Sequence, residues 1–281
     1  MTLNHRRLAA DTLARILIVI IVGIAILPIY WMISTSFKDP QTALAIPPSM
    51  FFFEPTLDNY QSLLSGEASA QGFVRPLVNS VIVSLGATAL AVAMGFPCAY
   101  VLARIKFRRR KATAMWILST TMFPPMVAVI PVFLIAGKIG VVDTFPVLII
   151  PYAAFNLPLI IWMLRSAIRQ IPDAIDEAAL VDGASHVTIL RRIILPLAAP
   201  AIAATAMLSV FLSWNEFLFA LTLTRSEVRT APVAINEFTT MYGTQWGNLT
   251  AGATLVVLPI LVMALVLGRR LISGLTFGAV K

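Results

Sequence analysis

Charged residues are scarce in this sequence. Only 12% of its 281 residues are Asp, Glu, Lys or Arg, whereas 59% are hydrophobic. A soluble domain carries about 25% charged residues, so the composition excludes an ordinary water-soluble protein. Several apolar runs reach the roughly 20 residues that a helix needs to cross a bilayer. The sequence therefore predicts an integral membrane protein.

Cysteine and histidine are scarce as well. Cys98 is the single cysteine, so no disulfide can form within the chain. His5 and His186 lie far apart in sequence, and neither has Cys or carboxylate neighbours at ligand spacing, so we expect no metal site. The sequence also lacks the GxxxxGKS or GxxxxGKT loop that holds the phosphates of a nucleotide. We therefore expect neither a cofactor nor an ATPase site in this chain.

Six apolar runs predict an all-α, polytopic fold, with a single transmembrane domain over residues 1–281. Polar segments separate the runs. The first run is too long for the core of a signal peptide and no A-x-A cleavage site follows it, so we expect it to be retained. The predicted spans are 16–34, 77–102, 112–136, 145–164, 199–223 and 251–267.

Basic residues are unevenly distributed between the two sets of loops. With the N-terminus placed in the cytoplasm, the inner segments hold sixteen Lys and Arg residues and the outer loops hold five. Cytoplasmic loops of membrane proteins carry an excess of Lys and Arg. The count therefore predicts that both termini are cytoplasmic, and it attributes the net charge of +8 to orientation rather than to nucleic-acid binding.

Proline recurs within the predicted spans. Each proline removes a backbone donor, and in lipid the freed carbonyl groups must find other partners. We therefore expect bent or broken helices around a protein-lined cavity. The prolines concerned are Pro28, Pro97, Pro124, Pro125, Pro131, Pro151 and Pro158.

The polar segment 177–196, EAALVDGASHVTILRRIILP, carries the most specific pattern in the chain. Its initial EAA, the glycine six residues after Glu177 and the closing Ile-x-Leu-Pro resemble the cytoplasmic coupling loop of permease subunits in ATP-binding-cassette (ABC) importers. Just before it, Pro172 and the acidic Asp173 and Asp176 suit the first turn of a short helix. We assign the coupling loop to residues 172–196. The alternative is an amphipathic connector between two membrane helices.

The resemblance implies that this loop docks on a separate ATPase, which would itself bind ATP and Mg. It also implies further partners: a second permease subunit, a second copy of the ATPase and an extracytoplasmic sugar-binding protein. A glycine at position 183 permits either a close approach or a change of direction. The residues implied in ATPase coupling are Glu177, Ala178, Ala179, Asp182, Gly183 and Ala184.

A carboxylate falls within the fifth predicted span. A charge near the bilayer centre costs about 2.5–3.5 kcal/mol on insertion scales, so Glu216 is expected to face the protein interior or water. The sequence Trp214-Asn215-Glu216 resembles the carbohydrate branch of the importer family. That resemblance implies that the three residues line the substrate path. The alternative is a structural polar pair that ties helices together.

The C-terminal sequence GLTFGAVK resembles the tail of the smaller, G-type permease in maltose- and trehalose-type importers. The resemblance implies that Gly274, Leu275 and Thr276 contact the ATPase subunits. A frayed, solvated terminus is the alternative, because chain termini are commonly poorly ordered.

Together these features predict a permease subunit with the type I ABC importer fold, in a bacterial plasma (inner) membrane. It would form half of a carbohydrate path that works by alternating access. One alternative is a permease of the same machinery for a non-sugar solute such as glycerol phosphate or an osmolyte. A membrane-embedded enzyme would need paired carboxylates or histidines, whereas Glu216 is the one ionisable residue well inside a span. A passive channel would need no coupling loop.

Overall fold

The computed structural model describes residues 2–66, 72–241 and 243–276, with side chains at 12–66, 72–241 and 243–265. Helices dominate this part of the chain. A π-helical turn covers Leu190–Ile194, and short 3-10 helices cover Thr120–Met122 and Ile235–Phe238. The α-helices are α1 (Thr2–Ser36), α2 (Pro40–Ala43), α3 (Asp58–Ser65), α4 (Val74–Arg104), α5 (Arg110–Ser119), α6 (Pro125–Ile139), α7 (Phe145–Ile168), α8 (Asp173–Val181), α9 (His186–Ile189), α10 (Leu195–Trp214), α11 (Leu218–Leu223), α12 (Ala231–Ala234) and α13 (Trp246–Thr276).

One small hairpin adds to the predicted all-α fold. Strands β1 (Thr239–Thr240) and β2 (Gly243–Thr244) pair antiparallel, with Thr239 opposite Thr244. With two residues in each strand, the hairpin leaves the helical architecture unchanged.

Within the described ranges, five long helices are apolar enough to cross a membrane, and a bent pair raises the number to six. The bent pair is formed by Arg110–Met122 and Pro125–Ile139, which meet at 84°. The prediction of six spans therefore agrees with the structure when this pair counts as one span. The five long segments are Thr12–Ser36, Val74–Arg104, Phe145–Ile168, His186–Trp214 and Trp246–Leu265.

The third predicted span, 112–136, is not one helix. The chain is extended at Phe123 and Pro124, and α6 starts at Pro125. A proline disfavours helical geometry in the residue before it and cannot donate a backbone hydrogen bond, so two successive prolines break the helix here. Among the prolines considered, the Pro124–Pro125 pair breaks a helix, whereas Pro28, Pro97, Pro131 and the prolines of α7 lie inside continuous helices.

The fifth predicted span, 199–223, is displaced towards the N-terminus. Its helical run is His186–Trp214, so residues 186–196 of the predicted coupling loop belong to this run. The Ser185 Oγ accepts a hydrogen bond from the Thr188 N–H at 3.3 Å and caps its start. The π-helical turn ends two residues before Pro196, so the wider hydrogen-bond ladder lies in the turn from which the proline donor is missing. The loop proper therefore ends at Ser185.

The chain divides into two compact units. The first comprises residues 1–73 and 235–257, and the second comprises 74–234 and 258–281. In the first, Asn59 Nδ2 donates to the carbonyl oxygens of Ser36 and Lys38 at 3.0 and 2.8 Å. A Cβ at Gly247 would approach Asn59 Oδ1 to 2.4 Å, so glycine is required for this packing.

The core of the second unit lies between α4, α7 and α10. Small residues such as Ala87, Ala91 and Ala153 allow these helices to approach closely. Polar side chains also join them: Asn156 Nδ2 donates to Ser213 Oγ at 2.8 Å and to Ser209 Oγ at 3.1 Å. All these hydroxyl and amide groups are buried in protein, which is where polar groups are tolerated at membrane depth.

Asp143 organises a loop outside the spans. Its backbone has φ +62°, and its carboxylate accepts four backbone N–H groups of residues 225–228 at 2.9–3.1 Å. Burial alone would raise the pKa of Asp143, but the four donors outweigh it and lower the pKa to about 2. The carboxylate therefore joins the α6–α7 turn to the segment after α11.

Asp143→Asn should lower the melting temperature of the purified protein at pH 7. An amide offers one acceptor oxygen in place of two, so part-buried N–H groups such as those of Ser226 and Val228 lose an acceptor, and each such group left unsatisfied costs at most about 1–3 kcal/mol. The pKa of Asp143 in the folded protein lies below its ordinary value of 3.8. The ionised carboxylate therefore makes its full contribution to the free energy of unfolding above that value, and the contribution disappears as the pH falls towards about 2. The difference in melting temperature between wild type and variant should thus narrow on acidification. A difference that is constant with pH would contradict the role of the ionised carboxylate.

Candidate functional site

Helix α8 occupies the segment with the EAA pattern. Pro172 stands at its N-cap, and Asp173 and Asp176 lie in its first turn, where carboxylates favour the positive end of the helix dipole. At the other end, the Ala184 N–H donates to Ala179 O at 2.9 Å and the Gly183 N–H donates to Leu180 O at 3.1 Å. This pair of bonds is the Schellman motif, which requires a left-handed residue after the C-cap.

Gly183 supplies that left-handed residue with φ +80°. A Cβ at this position would have no atom within 4 Å in the described chain. Of the two roles considered for this glycine, the structure supports the change of direction. A close approach within the chain is not the reason for it.

The two faces of α8 differ in exposure. Ala179 is 9% exposed and packs into the core of the second unit, while Val181 is 88% exposed. Ala179 therefore cannot meet a partner protein through its side chain, contrary to the role predicted for it. Ala184 is half-buried and also packs against the core. The other residues of the predicted coupling set are exposed: Glu177, Ala178, Asp182 and Gly183.

Arg104, the last residue of α4, holds α8 from the inner side. Its guanidinium is 7% exposed, and it forms ion pairs with Asp173 and Asp176. The Arg104 Nε and Asp176 Oδ2 atoms lie 2.6 Å apart, but they are not aligned as a hydrogen bond, so the contact is an ion pair. Nη2 also donates to Ile171 O at 2.7 Å. This one side chain therefore joins a long helix to the start of α8.

A second polar contact joins α4 to α9. The Tyr100 hydroxyl lies 3.2 Å from His186 Nδ1, and the two rings meet edge to face with centroids 6.4 Å apart. Tyr100 is one helical turn before Arg104. Both ends of the short segment between α7 and α10 are thus tied to the same end of α4.

Trp214, Asn215 and Glu216 lie at a break between α10 and α11. Trp214 is 4% exposed, so its ring is packed inside the chain and is not displayed to a substrate path. Asn215 is exposed and donates from Nδ2 to Phe211 O at 2.8 Å. The sequence suggested that Glu216 lies in the middle of a continuous helix. In the structure it lies between two helices instead.

The Glu216 carboxylate accepts backbone N–H groups at the start of α11. Oε1 accepts from Phe219 at 3.0 Å and Oε2 accepts from Ala220 at 3.3 Å. The Tyr152 hydroxyl is buried close to this carboxylate without a well-aligned hydrogen bond. The geometry gives Glu216 a capping role at the start of α11, which differs from both the path-lining role and the helix-tying polar pair considered for it.

Glu216→Leu should destabilise the protein more than Asn215→Ala. Leucine removes both acceptors, and each amide left unsatisfied costs about 1–3 kcal/mol, whereas Asn215 bonds the backbone through an exposed amide. Glu216→Gln retains one acceptor and should fall between them. Melting temperatures measured in one detergent order the three variants. Equal values for Glu216→Leu and wild type would disprove the capping role.

The predicted tail contacts fall largely outside the described residues. Helix α13 continues to Thr276, so Gly274, Leu275 and Thr276 have helical backbone, but their side chains lie outside the described part. Residues 277–281 lie outside it entirely.

Sequence comparison identifies the class of protein to which this arrangement belongs. Residues 95–276 match the family described as binding-protein-dependent transport system inner membrane component. The chain is 39% identical to the trehalose transport system permease protein SugB of Mycobacterium tuberculosis, over 93% of this chain and 94% of that one. It is 38% identical to the trehalose/maltose transport system permease protein MalG of Thermococcus litoralis, over 96% and 98% of the two chains. The predicted resemblance to sugar-importer permeases is confirmed.

A solved structure supports the fold. A chain from the crystal structure of a bacterial ABC transporter involved in the import of the acidic polysaccharide alginate superposes with a TM-score of 0.72. The two sequences are 23% identical, and the superposition covers 92% of this chain and 97% of that one. The predicted permease fold is confirmed as well. With its membrane-spanning helices and the α8 segment that carries the EAA pattern, the chain belongs to the family of binding-protein-dependent transport system inner membrane components, as a multi-pass permease subunit.

Proposed function

We propose that this chain is a permease subunit of an ATP-driven carbohydrate importer, in which it forms half of the translocation path by alternating access. The observation that carries the proposal is the identity of 39% and 38%, over more than nine-tenths of the chain, to permeases named for trehalose and for trehalose/maltose. A further relative, 30% identical over 94% of the chain, is the diacetylchitobiose uptake system permease protein DasC of Streptomyces coelicolor. Different sugars thus share this scaffold.

The exposed face of α8 is the proposed docking surface for a separate ATPase subunit. Val181 and Leu180 are 88% and 43% exposed there, beside the acidic Glu177 and Asp182. An apolar patch with a polar edge suits a protein partner. ATP and Mg would be bound by that partner, because this sequence has no phosphate-binding loop. Movement of the partner would reach α4 through Arg104.

The break between α10 and α11 is the proposed site where this chain borders the substrate path. Asn215 is exposed at the break, and an amide can both donate to and accept from sugar hydroxyl groups. Glu216 would act by holding the break open through its bonds to α11. Trp214 would support the break from inside.

The remaining proposed partners are a second permease subunit, a second ATPase subunit and an extracytoplasmic sugar-binding protein. One solved relative is an alginate ABC transporter in complex with an alginate pentasaccharide-bound periplasmic protein. The tail from Gly274 to Lys281 is proposed to contact the ATPase subunits.

The orientation proposed here places both termini in the cytoplasm, following the sixteen-to-five bias of basic residues. In a Cys98→Ser background, a membrane-impermeant thiol reagent should label Ser65→Cys and Met241→Cys in intact cells. It should not label Ser185→Cys until the membrane is opened. All three positions are exposed in the structure, so poor accessibility within the chain cannot explain a difference. Labelling at position 185 in intact cells would overturn the orientation.

Reconstitution tests the function as a whole. The chain is co-purified with its second permease and ATPase, placed in liposomes and supplied with the binding protein and ATP. Uptake of labelled trehalose or maltose is expected, and it should require both ATP and the binding protein. Uptake of glycerol phosphate with no uptake of either sugar would refute the carbohydrate assignment.

A further inference from the structure

Three arginines lie near one another where α4 and α7 end and α5 begins. Arg110 opens α5, and Arg165 and Arg169 lie at the end of α7. Arg165 Nε donates to Leu102 O at 3.2 Å, and Arg110 Nη1 lies 3.4 Å from both Ala103 O and Ile105 O. Both side chains therefore contact backbone carbonyl groups at the end of α4, which keeps them near each other.

The charge of this group is not balanced within the described chain. The charged groups that act on Arg165 are Arg169 and Arg110, and both are cations. Arg104 is different, because Asp173 and Asp176 neutralise it. The neighbouring segment 105–111 contains five basic residues and no acidic residue. Like charges brought together disfavour one another, so an anion from outside the chain would stabilise this arrangement.

A shallow apolar groove without enclosed volume lies beside Arg165 on the surface of α4, α5 and α7. Leu102, Ala114 and Ile161 are buried and form its floor, while Trp162 is 48% exposed at its edge. Tryptophan is enriched at the level of the lipid headgroups. Trp162 lies one helical turn before Arg165 in α7, so the two side chains are close to the same level. The groove is lined by Leu102, Ala114, Ile117, Leu118, Ile161, Trp162 and Arg165.

We propose that Arg110 and Arg165, together with the shallow apolar groove beside Arg165, bind an anionic phospholipid, with its phosphate at the two guanidinium groups and an acyl chain along the apolar lining. Guanidinium groups donate in a planar fork that fits phosphate oxygens. Basic pockets between transmembrane helices bind such headgroups, and the apolar lining beside Arg165 favours a ligand with an acyl chain over a free inorganic anion. The inference requires only that the helices span a membrane, so it is independent of the proposed transport function.

The test uses the purified permease complex after removal of bound lipid by detergent. Phosphatidylglycerol, phosphatidylcholine or inorganic phosphate is added, and the melting temperature and the lipid bound in native mass spectrometry are recorded. Phosphatidylglycerol should raise the melting temperature and remain bound, and the other two should not. In Arg110→Gln/Arg165→Gln the affinity for phosphatidylglycerol should fall about tenfold or more. The Lys substitutions at both positions should retain most of it.

Lys106→Gln/Arg108→Gln is the matched control, because it removes two exposed charges from the same segment but leaves Arg110 against the end of α4 and Arg165 in the groove. It should bind phosphatidylglycerol as the wild type does. An equal loss of affinity for phosphatidylglycerol in both double variants would contradict a specific site. It would show only a general attraction between a basic segment and anionic lipid. Stabilisation by inorganic phosphate alone would identify a site for a free anion. If phosphatidylglycerol neither binds the wild type nor stabilises it, the cations serve an acidic protein surface and the proposal fails.

Discussion

Gly183→Asp is expected to abolish uptake and to release the ATPase subunit, while the chain still inserts in the membrane. The residue has φ +80°, and a side chain in the left-handed region costs about 1–2 kcal/mol. The new carboxylate would also project from the exposed end of α8, next to Asp182. A loss of docking energy of roughly 3 kcal/mol would weaken the contact about a hundredfold. Co-purification of the ATPase and uptake of sugar measure the two effects.

Gly140→Asp separates docking from backbone strain. Gly140 ends α6 with φ +72° and, like Gly183, has no atom within 4 Å of a Cβ position. The strain of the two substitutions is therefore similar, but Gly140 is remote in sequence from the EAA segment. We expect Gly140→Asp to retain the ATPase. Release of the ATPase by both variants, or by neither, would refute α8 as the docking surface.

The sequence was sufficient for the number of long helices, because apolar runs of about 20 residues have few other structures available in lipid. It misplaced the start of the fifth helix because Arg191, Arg192 and Pro196 stand just before the apolar run. In the structure both arginines are exposed on a helix that has already begun at His186, and a π-helical turn accommodates the proline. Hydropathy therefore located the apolar part of this helix but not its polar first turns.

The site was predicted in part for a similar reason. Local patterns identify α8, its acidic first turn and the glycine that ends it, because each depends on residues within one helix. They cannot pair Arg104 with Asp173, 69 residues later, or Asp143 with the amides of residues 225–228. Those partners are fixed by how the helices pack. From the sequence alone, any of the basic residues near Arg104 could equally have formed the ion pair with Asp173. The positive φ at Asp143 has only a weak sequence signal, because Asp adopts the left-handed region more often than most residues but usually does not.

Arg104→Gln is the second change expected to have a large effect. Asp176 has a side chain only 10% exposed, and the substitution would leave its carboxylate without a cation. Removal of one partner from a buried ion pair costs about 3–5 kcal/mol. The start of α8 would then be released from α4. We expect a lower melting temperature and an ATPase activity that no longer responds to the sugar-loaded binding protein.

Two companion variants decide whether the buried pair is the cause. Asp173→Asn removes the other carboxylate, whose side chain is 76% exposed, and a pair exposed on one side is worth about 0–1 kcal/mol. It should therefore behave nearly as the wild type. Adding Asp176→Asn to Arg104→Gln removes the unpaired charge and should restore much of the melting temperature. The response of the ATPase should stay low in that double variant, because α8 and α4 are still not joined by an ion pair. If Asp173→Asn proves as damaging as Arg104→Gln, the exposed pair and not the buried one holds α8.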